Sequence, residues 1–112
     1  MIQRDRYSMI TKRIIRNVRD QIVKGFNPEK VVLFGSHAYG RPNGDSDLDI
    51  FVVMRTRKPH PERIRMVRRA IKEVGLGIDV IVRTPKELER ALKGRNWFIQ
   101  EIVEKGKVLY ER

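Results

Sequence analysis

The chain contains no cysteine. This absence excludes disulfide bonds, zinc–thiolate sites and thiol nucleophiles, so any chemistry must come from oxygen and nitrogen groups. Aromatic residues make up only 7% of the chain, and no basic segment alternates with aromatic residues as in proteins that bind single-stranded nucleic acid. Binding of RNA therefore stays open but has no motif to support it.

Long apolar runs are also missing. No stretch approaches the roughly 20 apolar residues of a membrane span, and the first residues, MIQRDRYSM, lack the apolar core of a signal peptide. We therefore expect a cytoplasmic protein. Because 40% of the 112 residues are hydrophobic, residues 1–112 are expected to form a single domain around one core.

Acidic residues are scarce relative to basic ones. The chain has 14 Asp and Glu against 25 Lys and Arg, which gives a net charge of +11. Such a surface attracts polyanions, nucleotides or an acidic protein partner. The excess charge is equally consistent with a basic coat that keeps the protein soluble, including in a thermophile, where charged residues are enriched.

The spacing of apolar residues predicts alternating helices and strands. A long amphipathic N-terminal helix is expected at about residues 5–24, with strands at 31–34, 47–54, 78–83 and 106–110 and a turn-rich segment at 41–45. Because the second strand follows the first too closely for a crossover helix, these two should be antiparallel. The expected fold class is α/β (α+β), with a mixed central sheet of about four strands packed by helices.

Local patterns in the second half of the chain predict three further features. A helix should run from about 61 to 74, and its arginines should lie on a solvated face: Arg63, Arg65, Arg68 and Arg69. Thr84 and Glu87 have the spacing of a capping box at the start of the next helix. Trp97 and Phe98, in the last helix, are expected to be buried in the core.

Two aspartates stand at the start of the second expected strand. Asp47 and Asp49 are two residues apart, so their carboxylates project to the same side, with Cα atoms about 6–7 Å apart. Two such charges in a partly dry place repel each other, so either one takes up a proton or a cation lies between them. Oxygen ligands without nearby His or Cys favour a hard cation such as Mg²⁺. If the third strand is a neighbour of the second, Asp79 becomes a third carboxylate there.

A glycine turn follows the first expected strand. Gly35 would let the backbone approach a ligand, and amide groups at Ser36 suit phosphate oxygens. Together with Mg²⁺ this turn predicts a bound nucleoside triphosphate, and three carboxylates could hold two metal ions for an in-line displacement. Ser46 is interpreted as a turn or cap residue with a supporting part in nucleotide binding, and His37 as a partly exposed turn residue. Each motif alone also fits an ordinary turn or strand end, and their joint occurrence favours a site.

Together these residues resemble a known signature. Gly35-Ser36, ten further residues and Asp47-Leu48-Asp49 are similar to the GS-x10-DxD signature of the DNA polymerase β-like nucleotidyltransferase superfamily. The segments GSHAYG and SDLDIFVV are especially similar to the minimal nucleotidyltransferase (MNT) family of prokaryotes. The later segments GIDVIVRTPKELE and EIVEKGKVLYER resemble the rest of that family, so the resemblance covers nearly the whole chain.

The resemblance implies a nucleotidyltransferase fold, a requirement for Mg²⁺ and a donor such as ATP. It implies that Asp47 and Asp49 bind the metal ions, and that Asp79 completes the metal-binding triad and helps to deprotonate the acceptor hydroxyl. Gly35 and Ser36 would hold the triphosphate. Since all five residues are present, the resemblance implies an active enzyme.

The resemblance also implies a partner. Minimal nucleotidyltransferases are similar to the antitoxin of a toxin–antitoxin pair, so the expected acceptor is a HEPN-domain toxin that receives AMP on a hydroxyl and forms a hetero-oligomer with the chain. Two alternatives stay open. The chain could be a non-catalytic antitoxin that masks its partner by contact. It could also modify a small molecule of the aminoglycoside type, for which a homodimer could complete the acceptor pocket.

Overall fold

The expected succession of helices and strands is present in the computed structural model, which describes residues 2–42, 46–72 and 74–112, with side chains from residue 11 onward. Residues 43–45 of the turn-rich segment and residue 73 of the expected 61–74 helix lie outside the described residues. The elements, in chain order, are α1 (Ile2–Phe26), β1 (Lys30–Phe34), α2 (Ser36–Tyr39), β2 (Leu48–Val53), α3 (His60–Ala70), β3 (Ile78–Arg83), α4 (Pro85–Lys93), α5 (Trp97–Lys105) and β4 (Lys107–Glu111).

The described residues form a mixed four-stranded sheet with the strand order β3-β2-β1-β4. β1 runs antiparallel to both β2 and β4, whereas β2 and β3 are parallel. The short link through α2 lets β2 return only in the antiparallel direction, and α3 supplies the longer crossover that parallel strands need. The expected fold class, a mixed sheet packed by helices, is confirmed.

The N-terminal helix is also confirmed, with α1 longer than its apolar spacing predicts. The helix ends where Asn27 adopts a positive φ of 47° and Pro28 follows. Basic side chains such as Lys12, Arg13 and Arg16 are exposed along it. None of the helices in the described part of the chain, α1 included, is long and apolar enough to cross a membrane.

Apolar side chains on both faces of β2 build the core. On one face, Leu48, Ile50 and Val52 pack with residues of α1 and α3. On the other, Phe51 and Val53 pack with residues of α4 and α5. Because side chains alternate along a strand, Asp49 shares the second face with Phe51, at the end of the sheet where β2 begins.

The helix predicted from about 61 to 74 ends earlier in the structure. Ala70 is the last residue of α3, and Ile71 already has extended backbone angles, φ −90° and ψ 111°. Ile71 and Val74 nevertheless pack against the core from the segment that leads to β3. An extended connection can bury the same apolar side chains as a helix, so the periodic spacing predicted too long a helix.

The expectation that Arg63 lies on a solvated face is wrong. Arg63 is only 6% exposed; its Nη1 donates to Oε1 of Glu87 at 2.6 Å and its Nε donates to the carbonyl oxygen of Lys58 at 2.7 Å. Glu87 also forms the predicted capping box with Thr84. One carboxylate therefore caps α4 and compensates a buried guanidinium on α3. The other three arginines are exposed, as expected: Arg65, Arg68 and Arg69.

Replacing Glu87 is expected to destabilise the protein, because the buried guanidinium of Arg63 would lose its partner. We expect Glu87→Gln to lower the free energy of unfolding by about 2–4 kcal/mol at neutral pH. The hydrogen bond from Arg63 lowers the pKa of Glu87 from 4.5 to about 2. This depressed pKa stabilises the fold above pH 4.5, and the stabilisation is lost as the pH falls towards 2.

Urea unfolding of wild type and variant across this pH range measures the effect. Glu89→Gln, on the exposed side of the same helix, is the matched control and should change stability by less than about 0.5 kcal/mol. An equal loss in both variants would show that the ion pair with Arg63 contributes nothing specific.

Trp97 is not part of the core, contrary to the sequence-based expectation. Its side chain is 73% exposed, and Phe98 is 37% exposed. Ile99 and Ile102 occupy the buried positions of α5 instead. In this nine-residue helix, these two residues form the buried apolar face. The two aromatic residues at its start remain accessible to solvent.

Candidate active site

Asp49 and Asp79 lie side by side on neighbouring strands. The parallel pairing of β2 with β3 places them directly opposite each other, so both side chains project from the same face of the sheet. Asp49 is half-buried, whereas Asp79 is exposed. The structure therefore brings two of the three predicted carboxylates together.

Asp47 immediately precedes β2 and faces the start of β3. Its carboxylate lies over Gly77, where an added Cβ would overlap Oδ1 of Asp47. The amide of Leu48 donates to the carbonyl oxygen of Gly77 at 2.9 Å, which holds the two strand ends together. The sequence analysis did not identify Gly77 as a residue that makes room for Asp47. Its position two residues before Asp79 was the available signal. Asp47 itself is exposed.

The carboxylates repel one another. Burial, followed by the negative charges of Asp79 and Asp47, raises the pKa of the Asp49 carboxyl above its ordinary value of 3.8, and His37 acts in the opposite direction. A raised pKa means that the folded protein disfavours the charged form of Asp49. A divalent cation among these groups would relieve the repulsion, so the electrostatics of the site favour cation binding.

The turn at Gly35 brings the backbone against Asp49. Gly35 has φ 74° and ψ −154°, a conformation essentially restricted to glycine. An added Cβ would overlap Oδ2 of Asp49, so the contact between turn and carboxylate also requires a residue without a side chain. Ser36 follows as the first residue of α2 and is half-buried.

His37 ties α2 to the segment that leads into β2. Its Nε2 lies 3.1 Å from the carbonyl oxygen of Ser46, and because a carbonyl oxygen only accepts, this nitrogen donates. Ser46 is half-buried directly before Asp47. Sequence reasoning interpreted His37 only as a turn residue; its place directly after Ser36 was the available signal. The structure thus gathers the predicted residues at one end of the sheet, and their roles stay predictions: Gly35, Ser36, Ser46, Asp47, Asp49 and Asp79.

The residues present fit a magnesium ion in their chemistry. Carboxylate oxygens are the ligands that Mg²⁺ prefers, and it commonly keeps positions for substrate phosphates. Within the described residues, no group of three or more His, Asp or Glu side chains is arranged closely enough to hold a metal ion. The arrangement is an open one: Asp49 and Asp79 are cross-strand neighbours, and the carboxylate of Asp47 lies over Gly77. It fits an ion held jointly by carboxylates and phosphate oxygens rather than one enclosed by protein.

Comparison with known proteins gives a family and a fold. Residues 12–110 match the family described as "Nucleotidyltransferase domain". The chain is also similar to the crystal structure of a candidate nucleotidyltransferase from Sulfolobus solfataricus, with a TM-score of 0.62 and 24% identity over 89% of this chain and 79% of that chain. At this identity the likeness shows the fold alone. The search among curated proteins gives no match.

Proposed function

This chain belongs to the nucleotidyltransferase domain family of the DNA polymerase β-like superfamily, and on that premise we propose that it transfers AMP from ATP to a hydroxyl group of a protein acceptor. Members of this family typically use Mg²⁺ and a nucleoside triphosphate. The observation that carries the proposal is the in-register pair of Asp49 and Asp79 beside the Gly35 turn. Phosphates, cation and attacking hydroxyl would all meet there.

The proposed roles follow from position and exposure. Gly35 and Ser36 hold the triphosphate. Because Gly35 has no side chain, the backbone of this turn lies directly against Asp49, and its amide groups can reach phosphate oxygens beside that carboxylate. Ser46 supports the entry to β2 next to this turn. Asp47, Asp49 and Asp79 would hold Mg²⁺ together with the phosphate oxygens, and the bound ion would neutralise phosphate charge and polarise the reacting groups.

Asp79 accepts the proton of the attacking hydroxyl, since it is the exposed member of the close pair. The acceptor oxygen bonds to the α-phosphorus of ATP, the bond from that phosphorus to the bridging oxygen breaks, and pyrophosphate leaves. The proton passes to the carboxylate of Asp79.

The proposed acceptor is a HEPN-type toxin, and the chain is its antitoxin of the minimal nucleotidyltransferase type. The resemblance of the GS-x10-DxD region to minimal nucleotidyltransferases supports this proposal. Exposed Asp47 and Asp79 leave the reacting end of the site accessible to a macromolecule, and the net charge of +11 suits an acidic partner. Modification of a small molecule would need further walls around the site, such as those of a homodimer.

Two labelled donors test the proposal. The chain is incubated with the HEPN protein, Mg²⁺ and ATP labelled at either the α- or the γ-phosphate. We expect the acceptor to take up only the α-label, with release of pyrophosphate, and no label when EDTA removes the metal. Uptake of the γ-label would indicate a kinase, and no uptake from either donor would contradict nucleotidyl transfer to this acceptor.

A non-catalytic antitoxin is the second candidate, and one observation favours it. Within the described residues, no three carboxylates lie close enough together to hold a metal ion. An antitoxin that acts only by contact does not need such a group. The two candidates separate in cells that express the toxin. If the chain acts by transfer, the double variant Asp47→Asn/Asp49→Asn loses neutralisation, whereas a masking antitoxin would still neutralise the toxin with both substitutions.

A further inference from the structure

Three aromatic rings form a continuous line from the candidate active site to the surface. The ring of Phe34 contacts that of Phe98 edge-to-face, with centroids 6.0 Å apart and an interplanar angle of 87°. Phe98 in turn contacts Trp97 at 5.9 Å and 79°. Such edge-to-face pairs are favourable arrangements of aromatic rings, so the line holds Trp97 in a defined position.

The inner end of this line is at the carboxylates. Phe34 is the cross-strand partner of Asp49 in the antiparallel pairing of β1 with β2, so the two side chains are neighbours on one face of the sheet. Phe34 also directly precedes the Gly35 turn. The aromatic line therefore begins one residue from the backbone proposed to hold the phosphates.

The outer end of the line is exposed but structurally fixed. Trp97 is 73% exposed, an unusual state for the largest apolar side chain. The side-chain oxygen of Asn96, the preceding residue, accepts a hydrogen bond from the backbone amide of Ile99 at 3.1 Å. The backbone amide of Asn96 donates to the carbonyl oxygen of Ala91 at 2.9 Å. These bonds fix the start of α5, so the backbone that carries the indole is held in place, and the edge-to-face contact with Phe98 orients the ring.

We propose that Trp97 is the stacking surface for the base of the donor nucleotide. This inference rests on the proposed function, since it assumes that the phosphates bind at Gly35. A nucleotide bound there has its phosphates beside Asp49. Its base is separated from them by the ribose and must lie farther along the surface. Indole rings stack on nucleobases regardless of base identity, and Trp97 provides such a face two ring contacts from Phe34.

Tyr39 is the competing aromatic residue. It lies on α2, close to the same turn, and is 41% exposed. Trp97 is the better candidate because its ring is larger, more exposed and fixed through Phe98 to the residue opposite Asp49. An exposed indole can also contact a protein partner, and binding measurements with ATP and with that partner separate the two uses.

Fluorescence of the indole gives the first test, since the chain contains a single Trp. Mg²⁺–ATP is titrated into the wild-type protein and compared with Mg²⁺–tripolyphosphate, which has phosphates but no base. We expect ATP to quench and shift the emission and tripolyphosphate to leave it unchanged. Equal responses to both would overturn the proposal, as would failure of the wild type to bind ATP, which would overturn the proposed function as well.

Equilibrium dialysis of three variants gives the second test. Trp97→Ala should weaken ATP binding by about tenfold or more and leave tripolyphosphate binding unchanged, as expected when one base–aromatic stack is lost. Val103→Ala, at an exposed apolar position of the same helix, should bind both ligands like the wild type. A loss in Tyr39→Ala but not in Trp97→Ala would move the base to α2. If Trp97→Ala binds ATP normally but loses the protein partner, the indole docks that partner and the base-stacking proposal is wrong; the α-label transfer then still decides the proposed function.

Discussion

Asp49→Asn is expected to abolish transfer and, at the same time, to make the protein more stable. We expect the transfer rate to fall by about three orders of magnitude, equivalent to about 4 kcal/mol at 1.36 kcal/mol per tenfold. The reason is the place of Asp49 between Asp79 and the Gly35 turn. An amide there keeps the shape of the side chain but removes the charge that attracts the cation.

The gain in stability follows from the pKa of Asp49, which burial and the neighbouring carboxylates raise above 3.8. Between the unfolded and the folded pKa, the folded state binds more protons than the unfolded state, so stability falls as the pH rises through this window. At neutral pH the wild type therefore bears the cost of a charged carboxylate that is partly buried and lies near two others, and Asp49→Asn does not. We expect the variant to gain up to about 1 kcal/mol, the size typical of partly solvated charges.

Thermal unfolding with and without Mg²⁺ measures both effects on one sample. Mg²⁺ should stabilise the wild type by binding only its folded state and should stabilise the variant much less. Asp20→Asn is the matched control, because Asp20 is an exposed aspartate on α1 that pairs with Arg19; its transfer rate and its response to Mg²⁺ should equal those of the wild type. Normal transfer by Asp49→Asn would exclude Asp49 as a metal ligand.

Gly35→Ala is expected to lose both activity and stability. Its backbone angles of φ 74° and ψ −154° cost about 1–3 kcal/mol for a residue with a side chain. The added Cβ would also displace Oδ2 of Asp49. Since a displacement of about 1 Å in an active site can lower the rate by about 100-fold, we expect transfer to fall by at least that factor.

Gly75→Ala separates the two causes, because the chain offers a glycine with the same φ and open space. Gly75 also has φ 74°, but among the described residues, its two chain neighbours aside, no heavy atom lies within 4 Å of its added Cβ. We expect this control to lose about 1–2 kcal/mol of stability from backbone strain and to keep its transfer rate. Urea unfolding and the α-label transfer assay measure the two quantities. Equal losses of transfer in both variants would mean that contact with Asp49 is not what makes Gly35 necessary.

Much of the fold could be predicted because its signals are local. The period of apolar residues predicted the long N-terminal helix, and the short separation of β1 and β2 along the chain predicted their antiparallel pairing. The prediction that Asp79 lies near Asp49 depended on β3 being a neighbour of β2. The two strands are paired in the structure. Local chemistry therefore indicated which residues could form a site, and strand pairing brought Asp49 and Asp79 together.

The features that the sequence did not predict depend on distant contacts. Arg63 is buried because Glu87, from another helix, reaches it, and no pattern around Arg63 itself indicates a partner 24 residues away. Trp97 is exposed because Ile99 and Ile102 already fill the space beneath α5. In both cases the composition of the local segment was compatible with either outcome, and tertiary packing decided.

β3, the strand that carries Asp79, lies at one edge of the four-stranded sheet. Its alignment with β2 determines which side chain lies beside Asp49. A slip of one residue against β2 would put Ile78 or Val80 beside Asp49 and turn the acidic group to the opposite face. The far end of this strand is where Arg63 Nη1 lies 3.5 Å from the carbonyl oxygen of Val82. The buried guanidinium of Arg63 therefore contacts the backbone of the strand whose alignment places Asp79 beside Asp49.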